Sequence, residues 1–120
     1  MRDYKKLEVW KKSHELYMSV KKRIIVRLPD EERYELRSQL SRAALSIPLN
    51  IAEGCERFTD IDFTRFLDNS LGSTNETGYC CYAAFELNYI SEEKYNIINK
   101  QVNEVRAMLI SFIKFLRNEN

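Results

Sequence analysis

Nine cations crowd the first 28 residues: Arg2, Lys5, Lys6, Lys11, Lys12, Lys21, Lys22, Arg23 and Arg27, opposed only by Asp3, Glu8 and Glu15. The local excess of +6 is the charge pattern of a surface that neutralises phosphates, because each lysine or arginine set against a phosphate releases a condensed counterion. The whole chain carries only +1, so the remainder must total −5. That balance excludes a uniformly basic nucleic-acid coat and leaves a localised contact surface. Lys5, Lys6, Lys11, Lys12, Lys21, Lys22, Arg23 and Arg27 form the candidate nucleic-acid-binding set. The competing account is that these lysines only solvate a helix. Arg33, Arg37, Arg42, Arg57 and Arg65 are the next cations to consider.

A second group has a different chemistry. Gln39, Arg42, Ser46, Asn50 and Glu53 recur at three- and four-residue steps, as do Asn69, Gly72, Ser73, Glu76 and Cys80. Residues three or four apart share one helical face, so each set is a stripe of small and polar groups able to exchange hydrogen bonds at close range. Gln39, Arg42, Ser46, Asn50, Glu53, Gly72, Ser73 and Glu76 are therefore candidates for a polar seam or a subunit interface, with an ordinary solvated face as the alternative.

Catalytic chemistry finds little support. His14 is the sole histidine and has no ExxH companion of the kind that holds two irons in a bundle, and no nucleophile motif surrounds any serine or cysteine. Glu53 and Glu76 could pair as carboxylates, yet a hydrogen-bonded seam explains them with fewer assumptions. Cys55, Cys80 and Cys81 lack CxxC spacing, and neighbouring helical residues diverge by about 100°, so neither a zinc site nor a disulfide framework is expected. Tyr79, Tyr82, Tyr89 and Tyr95 could stack on bases but are commoner as packing residues at helical spacing. The expectation is no catalytic residue, no metal and no cofactor.

Helices must position these groups. Three glycines and two prolines are too few for the many turns of a sheet protein, so the fold class is all-α. A hydrophobic content of 44% over 120 residues suits one core and one domain over residues 1–120. Helix 1 is expected from Leu7 to Val26, with Leu7, Trp10, Tyr17, Val20 and Ile24 inward, until Leu28-Pro29 interrupts it. Helix 2 is expected from Glu31, capped by Asp30 or Glu31, to Glu53, with a bend at Pro48 and Gly54 as a left-handed terminator. Thr59 should cap helix 3, which reaches Phe85 or Asn88 and whose interior Gly72 and Gly78 predict close helix packing. Ser91 should cap helix 4, whose Tyr95, Ile98, Val102, Val105, Leu109, Phe112 and Leu116 alternate three- and four-residue steps. Short connections force an antiparallel up-down-up-down four-helix bundle. Met1 to Trp10 is charged, unlike a secretory signal, and no apolar run approaches the ~20 residues of a membrane span, so a cytoplasmic chain without membrane contact is expected.

The run from Gln39 to Gly54, QLSRAALSIPLNIAEG, resembles the signature of the 23S ribosomal RNA intervening-sequence proteins, also called the four-helix bundle protein family. Leu7, Val9 and Trp10, Leu28-Pro29, Tyr34-Glu35-Leu36, Phe63 to Leu67, Gly72 to Glu76 and Leu87 to Ile90 extend the resemblance over nearly the whole chain. It implies a four-helix bundle. It extends to accessory proteins of diversity-generating retroelements, which implies a ring-like homopentamer and contact with nucleic acid through basic surfaces. This chain departs from the strongly basic relatives in being nearly neutral. The resulting expectation is a non-enzymatic homo-oligomer that binds RNA or DNA, the alternative being a structural oligomer that docks a protein partner.

Overall fold

The computed structural model describes residues 2–118. Four helices form the bundle: α1 Glu8–Ser19, α2 Leu36–Gly54, α3 Asp60–Glu86 and α4 Glu92–Leu116. Each packs on its chain neighbours and α1 closes the ring against α4, the arrangement of an up-down-up-down bundle 43 Å long. Among the described residues no helix is long and apolar enough to cross a membrane.

The caps of α3 and α4 lie where local chemistry places them. Thr59 Oγ1 accepts from the Asp62 amide and Ser91 Oγ from the Lys94 amide, both at 3.1 Å. Each satisfies a first-turn donor that has no intrahelical acceptor. Helix α3 ends on Asn88, whose φ of 64° is left-handed. The Tyr89 amide then donates to the Ala84 carbonyl and the Asn88 amide to that of Phe85, both at 2.9 Å. Asn88 is thus a terminator of the Schellman kind, outside the helix.

Several expectations are corrected. The inward face of α1 is Val9, Ser13 and Leu16, continued by Val20 and Ile24, while Leu7, Trp10 and Tyr17 pack at its margin. Ser13 is buried without penalty because its hydroxyl donates to the Trp10 carbonyl at 2.8 Å. Leu16, Val20, Ile24 and Leu28 are spaced by four residues, and in an α-helix each such step drifts about 40° around the axis. The chain removes the drift with a wider π-helical turn over Val20–Ile24, followed by a 3-10 turn over Ile25–Arg27. All four residues stay in the core.

Helix α2 starts at Leu36, because Asp30–Glu32 form a separate 3-10 turn and Glu35, with φ −115° and ψ −96°, leaves helical geometry. No side chain caps its first turn. Pro48 is buried inside α2, which continues through it to Gly54. Gly54 is not left-handed. It is a point of close approach, since a Cβ there would lie 2.8 Å from both Phe63 Cδ1 and Phe66 Cβ. Gly78 packs closely on a neighbour, since a Cβ there would lie 3.1 Å from Val102 Cγ1. Gly72 does not, for a Cβ on it would meet nothing within 4 Å.

Candidate nucleic-acid interface

The cations of the first segment point to different sides. Neighbouring helical side chains diverge by about 100°, so Lys21 turns toward α2, while Lys22 and Arg23 line the side facing Gln101 of α4. Lys11 pairs with Glu8 at 3.2 Å, and Lys12 lies between Glu15 at 3.8 Å and Glu104 at 3.5 Å. These two lysines are largely answered by their own carboxylates. Arg2 is structural, donating to Asp60 at 2.6 Å and to the Arg57 carbonyl at 3.0 Å with its guanidinium 4.2 Å from the centroid of the Phe63 ring. Lys5 and Lys6 occupy a 3-10 turn, Tyr4–Lys6, at the end of the bundle remote from Lys21. Lys5, Lys6, Lys22, Arg23 and Arg27 make no ion pair among the described residues. The eight candidate cations therefore do not form one surface.

A different cluster does. Lys21 and Ile25 at the end of the first helical segment face Arg33, Arg37, Ser38, Ser41 and Arg42 at the start of α2, and together they wall an open groove. Four cations and two hydroxyls line it, and no carboxylate does. Lys21 Nζ lies 3.4 Å from Ser41 Oγ, and Arg37 is steadied by Asp30 at 3.1 Å. Arg33 and Arg42 form no ion pair among the described residues. The uncapped first turn of α2 adds the positive end of a helix dipole beside them. Guanidinium groups suit this work, since their planar fork matches phosphate oxygens two at a time.

Arg33 and Arg37 are hard to see in sequence as part of a site. They sit among Asp30, Glu31, Glu32 and Glu35, whose charges conceal them in any running sum. The one available signal is their four-residue spacing, continued by Ser41.

The polar stripes of α2 and α3 meet within the chain. Ser73 Oγ donates to Ser46 Oγ at 2.9 Å, and Asn50 Nδ2 donates to the Ser46 hydroxyl at 2.8 Å and carbonyl at 2.9 Å. Ser70 Oγ reaches the Ile47 carbonyl across the same seam at 2.9 Å. Gln39, Arg42, Glu53, Gly72 and Glu76 stay outside this network on its flanks. Glu53 and Glu76 make no side-chain hydrogen bond or ion pair among the described residues, so nothing joins them as a carboxylate pair.

Of the remaining titratable and aromatic candidates, Tyr79 is 70% exposed on α3 and the others are packing groups. His14 is half-buried and stacks on Trp10, with ring centroids 5.0 Å apart and planes 5° apart. Tyr95 stacks on Phe85 at 5.2 Å and meets Tyr82 edge-on at 5.8 Å. Tyr89 donates its hydroxyl to Glu32 at 2.8 Å, and that hydrogen bond pushes the phenol up to about 12. Burial pushes the Cys81 thiol up to about 12 and raises Cys55 and Cys80 as well, the opposite of the thiolate character that reactivity needs. Among the described residues no three histidine, cysteine or acidic side chains converge as metal ligands would.

Comparison with known proteins agrees with the architecture. No curated protein matches the chain. A crystal structure of a protein of unknown function from the S23 ribosomal protein family of Bacteroides thetaiotaomicron superposes with a TM-score of 0.81 at 31% identity, covering 88% of this chain and 98% of that one. Neither that description nor the matching family's indicates an enzyme. The family model of the 23S rRNA-intervening sequence protein matches residues 5–111, and the chain belongs to that family.

Proposed function

We propose that this protein is a non-enzymatic, self-assembling bundle that binds RNA or DNA through the groove between the end of the first helical segment and the start of α2. The observation that carries this reading is the convergence of Lys21, Arg33, Arg37 and Arg42 on one wall system without a lining carboxylate. Phosphates are the polyanion such a groove fits, and several copies in one assembly multiply a modest attraction.

Self-assembly is supported by Gly72. An interior glycine costs roughly 1 kcal/mol relative to alanine, and here no neighbour within the chain needs the space. Close approach of a second copy would use it. Leu45 and Leu49 on α2 are 43% and 47% exposed and would be covered by the same approach. A closed ring of five copies is the assembly proposed from the family resemblance, and a solution mass five times the 14.3 kDa chain would support it.

The binding test is a salt series. Replacing Lys21, Arg33 and Arg42 by glutamine should make the slope of log affinity against log salt shallower by roughly 0.7 to 0.9 for each phosphate no longer neutralised. Replacing Lys11 and Lys12, which already face carboxylates, should change it less. An unchanged slope in the groove variant would refute the assignment. The second reading, docking of a protein partner, is favoured by the apolar depression that Leu7, Val9, Met108, Phe112 and Phe115 line between α1 and α4. Absence of nucleic-acid binding in the parent would make it the better one.

A further inference from the structure

Tyr34, 86% exposed, follows Arg33 of the basic groove directly in the chain. It lies in the turn between the Asp30–Glu32 3-10 helix and α2, next to Arg33, which lines the groove. The Arg33 guanidinium sits 5.7 Å from the centroid of the Tyr34 ring, so the aromatic face and the phosphate-binding charge share one small surface. At that exposure the bundle leaves the ring open to solvent. Of the other tyrosines, Tyr89 is bonded to Glu32 and Tyr95 stacks on Phe85, while Tyr79, 70% exposed on α3, does not line the groove.

We propose that Tyr34 and the groove together form a site for single-stranded nucleic acid, with successive phosphates along Lys21, Arg33, Arg37 and Arg42 and an unpaired base stacked on the Tyr34 ring. This rests on the nucleic-acid reading above and narrows its ligand. In a duplex the faces of the bases are hidden in the stack, and an exposed ring at the edge of a cationic groove has no base face to meet. A single strand offers both parts at once, a phosphate track and free aromatic faces, and stacking of this kind tolerates any base.

The surrounding charge favours it. From Lys21 to Arg42 there are seven cations against four carboxylates, a local net of +3. Two of those carboxylates are already occupied, Asp30 with Arg37 and Glu32 with the Tyr89 hydroxyl. Glu31 and Glu35 remain exposed to solvent, where salt screens them.

The test uses the full chain and short fluorescent oligonucleotides of mixed sequence, as RNA and as DNA, each single-stranded and as a blunt duplex, read by anisotropy over a salt series. Single strands should bind more tightly than duplexes. Tyr34→Ala should weaken single-strand binding on the order of tenfold, with the salt slope and duplex affinity unchanged, because the substitution removes one stacking face and no charge. Tyr34→Phe should bind like the parent. At 86% exposure neither change threatens the fold. If Tyr34→Ala binds single strands like the parent, or if Tyr34→Phe is as weak as Tyr34→Ala, the stacking proposal is overturned, while a groove-dependent salt slope would leave the broader function standing. A parent that binds none of the four ligands overturns both.

Discussion

Replacing each of the three glycines by alanine should give three different results. At Gly72 the new methyl meets nothing within 4 Å and the backbone is helical, so only the propensity gain remains, about 1 kcal/mol of added stability. For a chain of this length that corresponds to a melting midpoint raised by about 3 to 5 °C. At Gly54 the same gain is opposed by a Cβ placed 2.8 Å from Phe63 Cδ1 and from Phe66 Cβ. Phe63 is fully buried and cannot swing aside, and overpacking costs about 1 to 3 kcal/mol, so Gly54→Ala should be destabilised by up to about 2 kcal/mol net. Gly78 is intermediate. Its single neighbour, Val102 Cγ1 at 3.1 Å, must yield by a few tenths of an ångström, and the two effects should nearly cancel. The measurement is urea unfolding followed by circular dichroism at a concentration low enough to dissociate any assembly, with light scattering at high concentration alongside. Gly72→Leu should lower the assembly mass while the helical signal persists. A destabilised Gly72→Ala at low concentration, or an unaltered mass in Gly72→Leu, would show that the open space at this glycine has no role between copies.

Three further outcomes follow from particular side chains. The Tyr89 phenol is raised in the folded state by its hydrogen bond to Glu32, so its contribution is present below pH 10 and fades as pH rises from about 10 to about 12; Tyr89→Phe should flatten the parent's stability decline across that window when unfolding is compared at each pH. A thiol reagent at mildly alkaline pH should find Cys55, Cys80 and Cys81 unreactive in the native protein and all three reactive in denaturant, since all are buried with raised pKa values. Asn50→Leu removes two hydrogen bonds from Ser46 at a half-buried seam and should cost about 1 to 2 kcal/mol in thermal unfolding, well above the roughly 0.5 kcal/mol of an ordinary surface change.

The parts of the fold legible in the sequence are those governed by neighbours in the chain. Thr59 and Ser91 cap helices because a hydroxyl three residues before a free amide does so wherever it stands, and the alternation along α4 marks its face without outside help. The start of α2 is less legible: Asp30, Glu31 and Glu32 look like an acidic first turn and form one, but of 3-10 geometry and detached from the helix. The face of α1 is suggested by its larger side chains, which pack at the margin, whereas Ser13 and Leu16 lie beneath them. Ser13 enters the core only because Trp10 offers it a carbonyl. The groove is the least legible feature. Its cations come from both sides of the Leu28-Pro29 interruption, and they meet only once the chain has folded back from the first helical segment onto α2.

Leu7 and Phe115 line the same depression, so the chain enters and leaves the bundle at one end, with the basic groove at the other end of a 43 Å body. The segments beside Leu7 and Phe115 could therefore be joined by a brief glycine-serine bridge and the chain reopened elsewhere. The exposed turn at Leu87 and Asn88 is one such opening, but cutting there would sever the hydrogen bonds that finish α3. The tip at Arg57 and Phe58 is the gentler choice, since Phe58 is 92% exposed, although Arg2 would forfeit its Arg57 partner. For the same reason a solid support or a dye attached beside either Leu7 or Phe115 would hold the groove outward, facing the solution.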